Sequence, residues 1–149
     1  MTPFLLAQRL VGEIQERPGM TDHPFILWCL ESVGFEQSHD ETPWCAAFVS
    51  RLMWLMRLPR SKSARARSWL GVGIPILFEE AKPGYDVVIL KRGAGDQPGP
   101  EVLDAPGHVG FFAGVDGLSV LVLGGNQANG VSVQRFPLTQ ILGVRRVNG

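Results

Sequence analysis

The sequence predicts an α+β fold in which N-terminal helices pack on one side of an antiparallel sheet of four to six strands. Two observations support this class. In the first half of the chain, apolar residues recur every three or four positions, as on one face of a helix; in the second half they form short runs typical of strands. Most of the 18 Gly and 11 Pro follow residue 70, where they would form turns. Helices first and strands second are typical of α+β domains.

The helical half contains four predicted helices. Leu6, Leu10 and Ile14 mark one stripe of the first, which Pro18 ends. The third is the best defined, because Thr42 can cap a helix that starts with proline, where a missing N–H costs nothing. The predicted helices span residues 4–16, 24–33, 43–57 and 63–70.

The second half reads as five strands separated by turns. Between the first two strands, residues 92–107 are rich in Gly and Pro, which favours a long surface loop. An Asp-Gly turn signal at residues 116–117 joins the second and third strands into a hairpin. The predicted strands span residues 86–91, 108–114, 118–124, 131–136 and 143–147.

Size and charge restrict the possible functions. The length of 149 residues predicts one domain over residues 1–149. Fourteen basic and fourteen acidic residues give a formal charge of zero, which argues against a dedicated nucleic-acid binder. No apolar run approaches the roughly 20 residues of a membrane span, and the first residues lack the pattern of a signal peptide, so we expect a cytoplasmic protein without membrane insertion.

The sequence contains two cysteines, and different roles are predicted for them. Cys45 lies at the third position of the predicted third helix, where unpaired N–H groups and the helix dipole favour a thiolate nucleophile. The alternative is a small buried apolar residue. Cys29 lies in an apolar run and is predicted to be core. Acidic residues do not recur at ligand spacing around a histidine, so we predict neither a metal site nor a cofactor.

A thiolate nucleophile needs a proton donor for its leaving group, and His108 at the start of a strand is the candidate. The hairpin register decides what faces it. A three-residue loop puts His108 opposite Asn126, which could orient the imidazole, whereas a two-residue loop puts it opposite Gly125. The sequence leaves both registers open, and Asn126 could also be an ordinary turn residue.

Four segments, in order and spacing, resemble CHAP-type (cysteine, histidine-dependent amidohydrolase/peptidase) cell-wall hydrolases. They are DETPWCAAFV (residues 40–49), ARSWL (66–70), GHVGF (107–111) and LGGNQ (123–127). The resemblance covers roughly residues 5–147. It implies a papain-like fold with Cys45 as nucleophile, His108 as general base and acid, and Asn126 as the orienting residue. It also implies an amide substrate in the peptide part of peptidoglycan.

The resemblance suggests further roles. Trp44, Trp69, Gln127 and Asp40 are candidates for binding substrate, although the tryptophans could equally belong to the core and Asp40 could stabilise a helix start. The backbone N–H of Cys45 is the expected oxyanion donor, with Gln37 as a second candidate. The basic residues Arg57, Arg60, Lys62, Arg65 and Arg67 could approach an anionic surface or form a solvated helix face.

The function implied is a phage endolysin that cleaves either the muramoyl–alanine amide or a peptide bond of the stem or cross-bridge. We expect a monomer without a separate wall-binding domain and without a cofactor, with bacterial peptidoglycan as its partner. It would stay in the host cytoplasm until released to the periplasm and cell wall at lysis. The alternatives are an interbacterial toxin of the same chemistry and a catalytically silent wall-binding or phage structural module.

Overall fold

The computed structural model describes residues 1–17, 22–34 and 43–148, which form an α+β structure with one antiparallel sheet. Within these ranges the helices are α1 (Pro3–Gln8), α2 (Pro24–Glu31) and α3 (Cys45–Leu55). The six strands are β1 (Ile74–Ile76), β2 (Asp86–Lys91), β3 (Gly107–Asp116), β4 (Ser119–Gln127), β5 (Gly130–Pro137) and β6 (Ile141–Arg146). Their order in the sheet is β1-β6-β2-β3-β4-β5.

The first helix is much shorter than predicted. Thr2 caps its start by accepting a hydrogen bond from the N–H of Leu5, but the helix ends at Gln8 instead of residue 16. The chain then turns at Gly12, which has a φ of 77°. The N–H of Gly12 donates to the carbonyl of Val131 on the edge strand β5, and the N–H of Val131 donates to the carbonyl of Ile14. Pairing with the sheet therefore outweighs the helical periodicity that continues to Ile14.

Two other helix boundaries also differ from prediction. The third helix begins at Cys45, with Trp44 at the N-cap position, so Pro43 precedes the helix and Cys45 is its first residue. The proposed cap Thr42 lies outside the described residues. The fourth predicted helix is a 3₁₀ helix over Ala66–Gly71, where the short segment packs against β2 and β3.

The five predicted strands are confirmed within a few residues at each end. The sixth, β1, has only three residues and contains Pro75, so neither its length nor its composition marks it as a strand. It pairs with β6 through Ile74 opposite Arg146 and Ile76 opposite Val144. Residues 92–106 are irregular, as the Gly- and Pro-rich composition predicts.

The main core lies between the helices and one face of the sheet. Ile26 of α2 and Phe48 of α3 belong to it, together with Val109, Phe111 and Leu123 from the sheet. A smaller core covers the opposite face, and its members are Val88, Leu90, Phe112, Val120 and Val122. Helix α3 packs across β3 and β4, which brings the N-terminus of this helix to the two strands that carry the remaining candidate residues. In the described part of the chain, no helix has the length and hydropathy needed to span a membrane.

Candidate active site

Cys45 is the first residue of α3, and only 4% of its surface is exposed. Backbone N–H groups in the first turn of a helix have no partner within the helix, and they carry the positive end of its dipole. The sulfur therefore lies where a negative charge is stabilised. This confirms the predicted location at a helix start, two residues nearer to the terminus than expected.

His108 is the second residue of β3, and two neighbours hold its ring. Its Nε2 atom lies 2.8 Å from Oε1 of Gln127. The ring of Phe136 stacks on its face, with the ring centroids 5.2 Å apart and the planes at 28°. One edge and one face of the imidazole are thus fixed by β4 and β5, so little rotation of the ring is possible.

The amide group of Gln127 determines which nitrogen of His108 carries a proton. Its Nε2 atom donates to the carbonyl oxygens of Val122 at 3.0 Å and Ser132 at 2.7 Å. Because both partners are acceptors, the amide nitrogen must face them and Oε1 must face His108. Oε1 can only accept, so Nε2 of His108 carries a proton. The other ring nitrogen, Nδ1, is left for Cys45.

The Cys45 thiol and the His108 imidazole shift each other's pKa in opposite directions. Burial raises the pKa of Cys45, but hydrogen bonding to His108, its charge, the N–H of Val109 and the charge of Arg92 together lower it below the ordinary value. Burial lowers the pKa of His108, but the hydrogen bond and charge of Cys45 and the hydrogen bond of Gln127 raise it overall. These directions favour a thiolate–imidazolium pair.

Gln127 takes the position beside His108 that the sequence prediction gave to Asn126. The hairpin turn is a two-residue loop, Gly117-Leu118, between Asp116 and Ser119, which neither prediction places there. A bulge at residue 113 then brings the strands into the register predicted for the three-residue loop, with Phe111 opposite Leu123. A second bulge interrupts β4 between Gly124 and Gln127.

That second bulge explains why Gln127 and not Asn126 reaches the imidazole. Asn126 adopts a left-handed φ of 59°, which breaks the alternation of side chains along the strand. Asn126 is half-buried and lines a cleft beside His108, and no hydrogen bond joins their side chains within the described residues. Gly124 provides the space for Gln127, because a Cβ at residue 124 would lie 2.7 Å from Oε1 of Gln127.

The predicted substrate-binding residues fall in three different environments. Trp44 and Trp69 are fully buried, and Nε1 of Trp44 donates to Glu16 at 2.8 Å. Both tryptophans therefore belong to the core, which was the alternative to substrate binding. Gln127 is 4% exposed, and both ends of its amide are engaged. Asp40, like the second oxyanion candidate Gln37, lies outside the described residues.

Two clefts of about 400 Å³ each flank the buried pair. The first, which we call the histidine cleft, is lined by His108, Asn126, Phe136 and neighbouring polar residues. The second, the cysteine cleft, is lined by Cys45 and by residues 104–107. Arg92 lines both clefts. An extended chain could therefore lie across the pair with one part in each cleft.

Arg67 is a structural residue of the site that sequence reasoning misassigned. The sequence predicts that Arg67 is exposed like the other basic residues of segment 57–67, but its side chain is fully buried. Its guanidinium donates to the carbonyl oxygens of Gly99, Val102 and Pro106 at 2.8–3.0 Å, which fastens the long loop that ends beside the cysteine cleft. A fully buried arginine is rare unless it is paired. Here Nε and Nη1 pair with backbone carbonyls, whereas Nη2 has no hydrogen-bond partner within the described residues. The sequence signal that distinguishes Arg67 from its basic neighbours is its position inside the ARSWL segment (residues 66–70).

Comparisons with known proteins identify no relative. Neither the family models, nor the curated proteins, nor the solved structures include a match to this chain. Within the described residues, no group of three or more His, Cys, Asp or Glu side chains is arranged to hold a metal ion. The chemistry open to the site follows from its own residues: a thiol with a lowered pKa, an imidazole with a raised pKa and an amide side chain that fixes the imidazole.

Proposed function

We propose that the chain is a papain-like cysteine hydrolase of the CHAP type that cleaves an amide bond in the peptide part of bacterial peptidoglycan, as a phage endolysin does. The observation that carries this proposal is the arrangement of Cys45, His108 and Gln127. A buried thiol with a lowered pKa lies next to an imidazole with a raised pKa, and a fixed amide holds that imidazole. A silent binding module has no need of these opposite shifts.

The geometry supports a two-step hydrolysis. The Cys45 thiolate attacks the amide carbonyl carbon, and the Nδ1 proton of His108 passes to the leaving nitrogen as the C–N bond breaks. The products of this step are a free amine and a thioester on Cys45. A water molecule then gives a proton to Nδ1 of His108 and attacks the thioester. The acid is released, and the thiolate–imidazolium pair is restored.

The resemblance to CHAP enzymes supports the peptidoglycan substrate. The four segments that carry it lie at the start of α3, in the 3₁₀ helix Ala66–Gly71, at the start of β3 and at the end of β4. These are the elements that supply Cys45, the loop anchor Arg67, His108 and Gln127. The four segments are far apart in sequence, and they lie around one site.

The test is digestion of purified peptidoglycan by wild-type protein and by Cys45→Ala, with Cys29→Ala as the matched control. Cys29 is fully buried away from the clefts, so its variant should keep the activity. We expect the Cys45 variant to release no fragments. Wild-type rates from Cys45→Ala, or no digestion by the wild type, would contradict the proposal.

Mass spectrometry of the same digest identifies the bond. New alanine N-termini with intact glycan indicate an amidase, whereas shortened stem peptides indicate an endopeptidase. Either result agrees with the proposed chemistry, because both bonds are amides and need the same nucleophile and proton donor. Release of glycan fragments with intact stems would contradict it, because a glycosidic bond has no carbonyl carbon for the thiolate to attack.

A further inference from the structure

Arg92 lies between the two clefts, next to the reacting groups. It follows the last residue of β2, where Leu90 pairs with His108 and Lys91 pairs with Gly107, so it lies beside the start of β3. Its side chain is exposed and lines both the histidine cleft and the cysteine cleft. Its charge influences the pKa of both Cys45 and His108. A substrate that spans the two clefts must pass this guanidinium.

Arg92 carries its charge without an ion-pair partner among the described residues. Across the described ranges, no Asp or Glu forms an ion pair with it, whereas Arg135 on the far wall of the histidine cleft pairs with Asp116 at 2.7 Å. Lys91 adds a further positive charge, and the described lining of the histidine cleft contains no carboxylate. In the cysteine cleft, Asp104 is the acidic lining residue, and its backbone carbonyl accepts from Arg65. The histidine cleft is therefore cationic.

We propose that Arg92 binds a carboxylate of the substrate close to the scissile amide, and that the enzyme prefers acidic peptides over their amidated forms. This inference rests on the proposed function and specifies its substrate. A guanidinium presents two parallel N–H donors that match the two oxygens of a carboxylate. Such a contact fixes the position and the direction of an extended peptide at the point where the two clefts meet.

The position of Arg92 also links binding to reactivity. The guanidinium lowers the pKa of Cys45 and so favours the thiolate. The same charge lowers the pKa of His108 and so opposes the imidazolium. A substrate carboxylate on Arg92 would offset both effects, because it places a negative charge near the protonated ring and near the thiol. An acidic substrate would thus raise the pKa of His108, which keeps the proton donor protonated, and would also raise the pKa of Cys45.

The test measures binding separately from cleavage. Cys45→Ala protein is titrated with a soluble muropeptide whose stem carboxylates are free, and with the same muropeptide after conversion of those carboxylates to amides. We expect about tenfold tighter binding of the acidic form, as one hydrogen-bonded charge pair of about 1.4 kcal/mol gives. Adding Arg92→Gln should abolish the preference, and Arg92→Lys should keep part of it. Arg9→Gln, the same change at the exposed residue that follows α1, should leave the preference unaltered.

The outcomes separate this inference from the proposed function. Equal affinity for the two muropeptides, an unchanged preference in Arg92→Gln, or binding of neither form would overturn the role of Arg92. Cleavage is then assayed with the wild-type protein on both forms. If the carboxylate preference in binding depends on Arg92 but neither form is cleaved, the hydrolase proposal is wrong and the acidic ligand site stands.

Discussion

Replacing Gln127 with alanine removes the acceptor that holds Nε2 of His108 at 2.8 Å. The hydrogen bond becomes charge-assisted when His108 is protonated, and such bonds contribute about 1.5–3 kcal/mol. At about 1.36 kcal/mol for each factor of ten in rate, kcat/KM should fall by between about 10-fold and about 160-fold. The carbonyls of Val122 and Ser132 lose a donor as well. We therefore expect a lower melting temperature, with a loss of about 1–3 kcal/mol in the free energy of unfolding.

The pH profile distinguishes an orienting role from general destabilisation. Gln127 raises the pKa of His108, so its removal lowers that pKa. The first step needs the imidazolium, and activity is lost as the pH rises through the pKa of His108. The alkaline limb of kcat/KM should consequently move to lower pH in Gln127→Ala.

Asn126→Gly is the matched control for this experiment. Glycine accepts the φ of 59° found at residue 126, so the bulge keeps its backbone while the side chain is lost. We expect kcat/KM within about threefold of wild type, because no bond from Asn126 to His108 has to be broken. A large loss in Asn126→Gly together with near-normal activity in Gln127→Ala would refute the reasoning from the bulge.

Three further predictions follow from the same geometry. Iodoacetamide should alkylate Cys45 faster than Cys29 at neutral pH. The alkylation rate of Cys45 should decline as the pH falls through the lowered pKa of this thiol, and faster labelling of Cys29 would contradict the prediction. Arg67→Met should make residues 92–106 more sensitive to limited proteolysis and raise KM more than it lowers kcat, whereas an unchanged digestion pattern would show that the loop needs no anchor. Gly125→Ala should lower the free energy of unfolding by about 1–3 kcal/mol and reduce kcat, because a Cβ there overlaps Trp44 and Phe48 at the start of α3. Wild-type stability and kcat would show that the helix can move to make room.

Local sequence signals predict the positions of Cys45 and His108 but not the residue that contacts the imidazole. Cys45 and His108 are predictable because each lies near the end of a regular element, and element types follow from hydrophobic periodicity. The third residue depends on the register of β3 against β4 and on a bulge within β4. A shift of one residue reverses every side chain, and no local signal marks a left-handed Asn126 inside a strand.

The burial of Arg67 and the early end of the first helix cannot be predicted from local sequence, and the reason is related. Arg67 resembles its exposed basic neighbours in sequence, and only the return of the long loop gives its guanidinium three carbonyl partners. The apolar stripe of the first helix continues to Ile14, but pairing of that segment with β5 ends the helix at Gln8. In both cases, a contact between distant parts of the chain overrides the local preference.

The two cysteines show how the surroundings of a buried thiol decide the direction of its pKa shift. Both are almost completely buried, and burial raises the pKa of each by desolvation. For Cys29 desolvation dominates, and it raises the pKa well above the ordinary value. The charge of Arg51 opposes this rise, but its effect is smaller. For Cys45 the imidazole of His108, the N–H of Val109 and the charge of Arg92 reverse the direction. His108 and Val109 come from β3 and Cys45 from α3, so the low pKa depends on the packing of the helix against the sheet. Separating the two elements would remove both the burial that raises the pKa of Cys45 and the contacts that lower it, so the pKa would return toward its ordinary value.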